Sequence, residues 1–207
     1  MADTDDVPSV IDLRSDYDAR EWARTAMVKR PWRTEFFARI AEELGQMDGA
    51  PLAVLELGSG PGFLAQQVLT ALPRTAYTAV DFSPAMHTLA KERLGSLADH
   101  VTFIDIDFRL GDWTAWLPTV DAVVTMQAVH ELRHKRHAAD FYRAVRTLLR
   151  VSGVLLTCDH VVSPDGMTND ALFMTLTEHE AAILAGGFST VDRLIEKHGV
   201  ALFRALA

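Results

Sequence analysis

The chain has 207 residues, 49% of them apolar and 23% charged, a globular composition that excludes disordered, collagenous and coiled-coil readings. Twenty basic against 28 acidic residues leave a net charge of −8, the wrong sign for a general polyanion binder, so nucleic acid is not an expected partner. The single cysteine, Cys158, cannot close an internal disulfide. The first dozen residues carry Asp3, Asp5, Asp6 and Asp12 instead of a basic start and an apolar core, and no apolar run approaches the ~20 residues that span a bilayer, so a cytoplasmic protein without a membrane partner is expected.

Residues 1–12 read as a frayed acidic tail. Residues 13–49 read as an N-terminal helical region, helical to 44 with a break near Pro31, whose ring removes a backbone donor, and then a turn with Gly45, Gly49 and Pro51. From 50 to 207 strands and helices alternate. Leu52 to Leu57 is a short apolar run, the mark of a buried strand, and Gly58 to Gly62 is a glycine-rich turn. A helix over Phe63 to Leu72 stops at Pro73, and Ala76 to Val80 is the second strand. Ser83-Pro84 opens a helix, with Ser as cap and Pro at the first position, which ends at Leu94 before Gly95.

Val101 to Ile106 and Ala122 to Met126 are the third and fourth strands. Residues 136–150 form an amphipathic helix with Phe141, Val145 and Leu148 on one stripe, and Val154 to Cys158 is the fifth strand. After a polar loop at 163–170, Thr177 with Glu180 fits a capping box for a short helix ending at Gly186-Gly187. Val191 to Glu196 and Val200 to Leu206 lie too close in sequence to pair in parallel, so the last strand is expected to be antiparallel. The alternation predicts an α/β fold with a mostly parallel sheet and helices on both faces.

In such sheets ligands bind beyond the carboxyl ends of the strands, here 58–62, 81–83, 107–113, 127–131 and 159–160. The segment Val54-Leu55-Glu56-Leu57-Gly58-Ser59-Gly60-Pro61-Gly62 allows a tight strand-to-helix turn, close backbone approach to a ligand, and free amides at the next helix start. Asp81, 21 residues after Gly60, suits both hydroxyls of a ribose, or else the start of a turn before Ser83-Pro84. At Asp107-Phe108 an acid can accept from the adenine amine and an aromatic ring can lie against the base. A loop acid beside a core Phe is the alternative, and Asp112 is a rival for the acid's role. Together these pieces describe a pocket for an adenosine-containing cofactor. A dinucleotide fingerprint wants GxGxxG and a pyrophosphate. Here the glycines sit at 58, 60 and 62, position 63 is a bulky Phe, and the Glu56 carboxylate would repel a pyrophosphate and suit a cationic ligand. An NAD-dependent oxidoreductase of Rossmann type is the alternative reading.

Leu55 to Gly62 resembles the first motif of the class I S-adenosylmethionine-dependent methyltransferases, and Asp81-Phe82-Ser83-Pro84 followed by Met86 resembles the second. Val101 to Phe108 resembles the strand ending in the adenine-side Asp, here Asp107. Asp121 to Val124 with Gln127 to His130 resembles the fourth motif, Leu149 to Leu156 the entry to the fifth strand, and Gly186-Gly187-Phe188 the turn before the terminal hairpin. Ser152 stands where that family usually has Pro. The resemblance spans about 50–207. It implies a Rossmann-like seven-stranded sheet with the last strand antiparallel, and S-adenosylmethionine as cofactor, leaving as S-adenosylhomocysteine. Glu56, Gly58, Ser59, Gly60, Gly62, Asp81, Phe82, Met86, Asp107, Phe108 and Gln127 are the residues expected to hold it. A small-molecule methyl acceptor and a monomer or homodimer complete this reading.

Two His residues stand at strand ends where a general base can work, His130 after the fourth strand and His160 after the fifth, with Asp159 and Glu131 as weaker candidates. His130-Glu131-Leu132-Arg133-His134 also spells HExxH, which on a helix would place two imidazoles one turn apart for zinc. Against it, the segment follows a strand directly and Arg133 sets a cation between the ligands. The expected arrangement has no metal, with His130 lining the pocket and His134 and His137 facing solvent. Residues 13–39 carry a net charge of +3 with Trp22, Trp32, Phe36 and Phe37 interleaved. They read as a lid, either receiving an anionic group or simply docked on the acidic body. Trp113 and Trp116 suit an acceptor site or the packing of the loop after strand three.

Overall fold

The computed structural model describes residues 6–47, 51–164 and 166–207; Asp3 and Asp5 of the acidic tail, Gly49 of the turn and position 165 of the polar loop lie outside the described residues. Seven strands form one sheet in the order β3-β2-β1-β4-β5-β7-β6. Only β7 runs against the others, which is the Rossmann-like architecture expected. The chain divides into two compact units, Ile11–Asp107, and Phe108–Ala207 with the segment ending at Val10.

The first unit contains α1 (Asp16–Lys29), α2 (Arg33–Gly45), β1 (Ala53–Leu57), α3 (Phe63–Ala71), β2 (Ala76–Asp81), α4 (Pro84–Leu94) and β3 (Val101–Asp105). The break at Pro31 falls between α1 and α2, where Pro31 supplies a carbonyl to the Thr34 amide. Ser83 caps α4 by accepting from the Met86 amide, and Pro84 takes the first helical position. The apolar run of β1 is buried at Val54, Leu55 and Leu57, and its parallel register with β2 sets Leu57 against Val80. β2 runs one residue further than its apolar pattern, so Asp81 is its last residue.

The second unit contains β4 (Val120–Met126), α5 (Ala138–Thr147), β5 (Leu149–His160), α6 (Leu176–Ala185), β6 (Thr190–Lys197) and β7 (Val200–Leu206). α5 is shorter than 136–150 because Lys135–His137 forms a 3-10 turn and Leu149 already belongs to β5. Its stripe of Phe141, Val145 and Leu148 is buried as expected. β5 exceeds its apolar run at both ends: Arg150, Val151 and Ser152 are exposed, whereas Asp159 and His160 are polar yet buried. The capping box sits two residues earlier than expected, on Thr175 and Glu178. Two T-x-x-E patterns overlap here, and the side chain and amide of Thr175 make the reciprocal pair with Glu178. Fraying does not extend to residues 6–8: the Val7 amide donates to the Arg133 carbonyl, and the Arg133 guanidinium donates to the carbonyls of Val7 and Pro8.

Candidate active site

In the first unit the turn after β1 is built largely by backbone. Gly58, Gly60 and Gly62 have φ of 71°, 53° and 78°, the left-handed region that glycine enters without a Cβ clash. Both the Gly58 and Ser59 amides donate to the Val80 carbonyl. A Cβ at Gly62 would lie 3.1 Å from that of Ala90, so Gly62 brings the turn against α4, while a Cβ at Gly60 would meet nothing within 4 Å. Close packing therefore falls on Gly62 and not on position 63, where Phe63 is half-buried under the Arg93 guanidinium, 3.8 Å from the ring centroid.

Asp81 receives the Gly60 amide at 2.8 Å on one oxygen and the Ser83 amide at 2.9 Å on the other. Burial pushes its pKa up and those amides pull it down, with a net rise. Each oxygen retains acceptor capacity, which suits a sugar diol. Asp107 and Phe82 are brought together by Arg14, which pairs with the Asp107 carboxylate at 3.0 Å and lies 4.5 Å over the Phe82 ring.

Three expected cofactor residues stand differently from their reading in the sequence. Glu56 is no free charge: it is 2% exposed, accepts from the Tyr77 hydroxyl at 2.8 Å, and burial lifts its pKa to about 8. At neutral pH it holds a proton, so repulsion of a pyrophosphate is not its role. Met86 packs in a cluster with Ala19, Ala85, Leu13 and Trp22. Phe108 belongs to a buried aromatic group with Trp113 and Phe141, at centroid distances of 6.3 and 5.3 Å. Asp112 precedes a 3-10 turn and accepts from Thr114. Of the two tryptophans, Trp113 stacks on Phe141, and Trp116 is exposed. Sequence reasoning passed over His87, a buried residue of α4 whose ring joins the Ser59 hydroxyl at 3.3 Å to Asp105 at 2.7 Å. A lone His inside a helix carries no signal for this line.

In the second unit the ends of β4 and β5 assemble a network of side chains. Asp159 accepts three bonds: the His130 amide at 2.9 Å, His130 Nδ1 at 2.7 Å and the His160 amide at 2.7 Å. His130 Nε2 lies 3.4 Å from Glu131, which also pairs with Arg133 at 3.0 Å. Burial opposes charge on His130, but the field and hydrogen bond of Asp159, with Glu131 behind them, raise its pKa to about 10. Burial raises Asp159 too, yet His130 outweighs it and holds the carboxyl well below the usual range. Gln127, at a φ of 56°, aims its amide nitrogen at His160 Nε2, 2.8 Å away. The His130 and His160 rings meet edge to face at 5.4 Å, and Phe173 packs on both. The structure thus brings His130, His160 and Gln127 together around Asp159. Buried His179 supports this group by donating to the His160 carbonyl at 3.1 Å.

The HExxH spelling has no helix beneath it. Val129–Leu132 is one 3-10 turn, Arg133 takes a φ of 68°, and His134 is extended with its Nδ1 accepting from the Arg136 amide. His130 and His134 therefore do not stack one turn apart, and no group of three metal-ligating side chains occurs among the described residues. His137 does not simply face solvent: it is half-buried against Asp6 at 2.9 Å.

A mostly parallel sheet with a glycine turn after its first strand and a buried acid closing the second is an α/β arrangement that suits a nucleoside ligand. Residues 55–155 match the family described as a methyltransferase domain. That match supports the resemblance to the class I S-adenosylmethionine-dependent methyltransferases. It is 23% identical over 181 residues to malonyl-[acyl-carrier protein] O-methyltransferase of Paenibacillus sp. (strain JDR-2), covering 80% of this chain and 66% of that protein. It is 27% identical over 113 residues to the protein of the same name from Neorickettsia risticii (strain Illinois), covering 54% and 41%. The chain thus spans less than two thirds of these relatives. Human N-acetylserotonin methyltransferase, solved in complex with the cofactor, shares the fold at a TM-score of 0.69 and 17% identity, over 94% of this chain and 60% of that one. No helix among the described residues is long and apolar enough to cross a membrane.

Proposed function

We propose that the chain transfers a methyl group from S-adenosylmethionine to an oxygen of a small-molecule acceptor, free or carried on another protein. The observation that carries this reading is the Asp81 carboxylate, fixed by the Gly60 and Ser83 amides beside a turn whose Gly60 faces open space. These residues fit a nucleoside: Asp81 would take the ribose, the Gly58 to Gly62 backbone the adjoining chain, and Phe82 with Asp107 the base. When bound, the cofactor supplies a sulfonium methyl that is electrophilic without further activation.

The protein's own part is to bind, orient and move a proton. Asp159 fixes His130 Nδ1–H, which leaves Nε2 as the proton-exchanging atom, and its charge stabilises the imidazolium formed when an acceptor hydroxyl gives up its proton. His160, held by Gln127, lies against the same imidazole and orients it. The oxygen acceptor is favoured by this dyad and by the names of the two curated relatives. The helices within 13–49 act as a lid in this reading, with a cytoplasmic location and a monomeric or homodimeric state.

Calorimetry with S-adenosylhomocysteine and methyl transfer to a panel of hydroxyl acceptors test it together. Asp81→Ala is expected to weaken binding by about a hundredfold, as expected for losing a charge-assisted pair. His130→Ala is expected to leave binding intact and cut turnover by about 10²–10⁴. Because His130 is protonated at neutral pH, kcat/KM for a neutral hydroxyl should rise with pH toward about 10. Asp159→Asn should move that limb down. Absence of any heat with the wild-type chain would reject the reading.

A further inference from the structure

We infer that Arg14 is a latch that fills the nucleobase position and must be displaced by the cofactor. The inference rests on the proposed role of Phe82 and Asp107. Arg14 lies just before α1, on a segment held down on both counts. The Leu13 carbonyl accepts from the Ser83 hydroxyl, and the Leu13 side chain packs on the cluster of Ala19, Ala85 and Met86. From there the guanidinium reaches over the face of Phe82, 4.5 Å from its centroid, while Nη2 donates to Asp107 Oδ2 at 3.0 Å.

This is the recognition an aminopurine would require. A guanidinium is planar, carries N–H donors at its edge and stacks on aromatic faces. Arg14 uses the ring face for stacking and a carboxylate oxygen for its edge, so base and latch compete for the same contacts. The two partners differ in exposure: Asp107 is 9% exposed in its side chain and Arg14 50%. The acid is the fixed part of the site, and the cation is the part free to swing into solvent. A half-exposed pair is weak and salt-sensitive, which suits a contact that yields to a ligand.

The test is the affinity of Arg14→Ala and Arg14→Lys for S-adenosylhomocysteine, by calorimetry and stopped flow, at low and high salt. Arg14→Ala is expected to bind about three- to tenfold more tightly, with the gain in the association rate, because the removed contact is of surface-pair size. Arg14→Lys, which keeps charge and loses the plane, should fall between. Wild-type affinity should rise with salt toward that of Arg14→Ala. Arg20→Ala, which removes the Arg20–Glu92 pair of α1, should bind as the wild type does. Equal or weaker binding by Arg14→Ala, or the same gain in Arg20→Ala, overturns the latch. Asp107→Ala separates the two readings: weakened binding supports the base site on which the latch depends, and unchanged binding sinks that site and the latch with it.

Discussion

The two units solve different problems with different materials. In Ile11–Asp107 the site is made mostly of backbone: three left-handed glycines, two amides on one carbonyl, and two more amides on Asp81. The unit that holds β4 and β5 has a candidate site of its own made of side chains, with Asp159 gathering His130 and His160 and with Glu131 and Arg133 closing the charge balance. A backbone site is preorganised by turn geometry and tolerates side-chain change. A buried charge network depends on each partner, because an ion left alone in the interior is costly.

The largest test of that contrast is Asp159→Ala, which strips the buried imidazolium of its partner. We expect a loss of about 3–5 kcal/mol at pH 7, read by urea denaturation. The double variant His130→Leu, Asp159→Ala should recover part of it, since no unpaired ion remains. The pH dependence follows from the raised pKa of His130. Its contribution is complete below the unfolded value of 6.5 and is lost as pH rises through about 10. Wild-type stability should therefore fall over that window, and Asp159→Ala should show a flatter profile. A loss below 1 kcal/mol would break the comparison.

Glu56 is a titrating side chain that challenges the backbone account of the first unit. Its pKa is 4.5 unfolded and about 8 folded, because burial disfavours the charge. The folded state binds the extra proton, so this stabilisation is complete below pH 4.5 and lost as pH rises through about 8. The whole shift corresponds to on the order of 3–5 kcal/mol. Glu56→Gln keeps an acceptor for the Tyr77 hydroxyl and removes the titration. It should match the wild type near pH 5 and exceed it near pH 8 in chemical denaturation. Parallel curves for the two proteins would show that Glu56 does not titrate in this window.

How legible each site was in the sequence follows the same division. The glycines at 58, 60 and 62, the Ser83-Pro84 cap and Gly95 are local, contiguous signals, and the fold and the tight turn after β1 were readable from them. The ends of β5 were not, because Asp159 and His160 are buried by partners that come from other elements, and an apolar-run search stops before them. The HExxH spelling is set aside in the sequence because the segment follows a strand directly, and the left-handed Arg133 bears on the same point, since no α-helix runs beneath it. Phe108 and Met86 sat at motif positions, yet their side chains pack into the interior. Backbone roles transfer with a motif more readily than side-chain directions do.

The smallest expected effect belongs to His87, a side chain that braces the glycine turn through Ser59. Its ring ties the Ser59 hydroxyl to Asp105, but the Gly58 and Ser59 amides are already held by the Val80 carbonyl. Replacing it therefore removes about one hydrogen bond's worth of order, near 1 kcal/mol, and leaves the turn standing. His87→Leu should weaken S-adenosylhomocysteine about three- to tenfold with kcat nearly unchanged, and His87→Gln should restore much of the loss by bonding Ser59 again. A hundredfold loss in His87→Leu, with folding intact by circular dichroism, would mean that side chains and not backbone shape this turn. The contrast between the two units would then have to be given up.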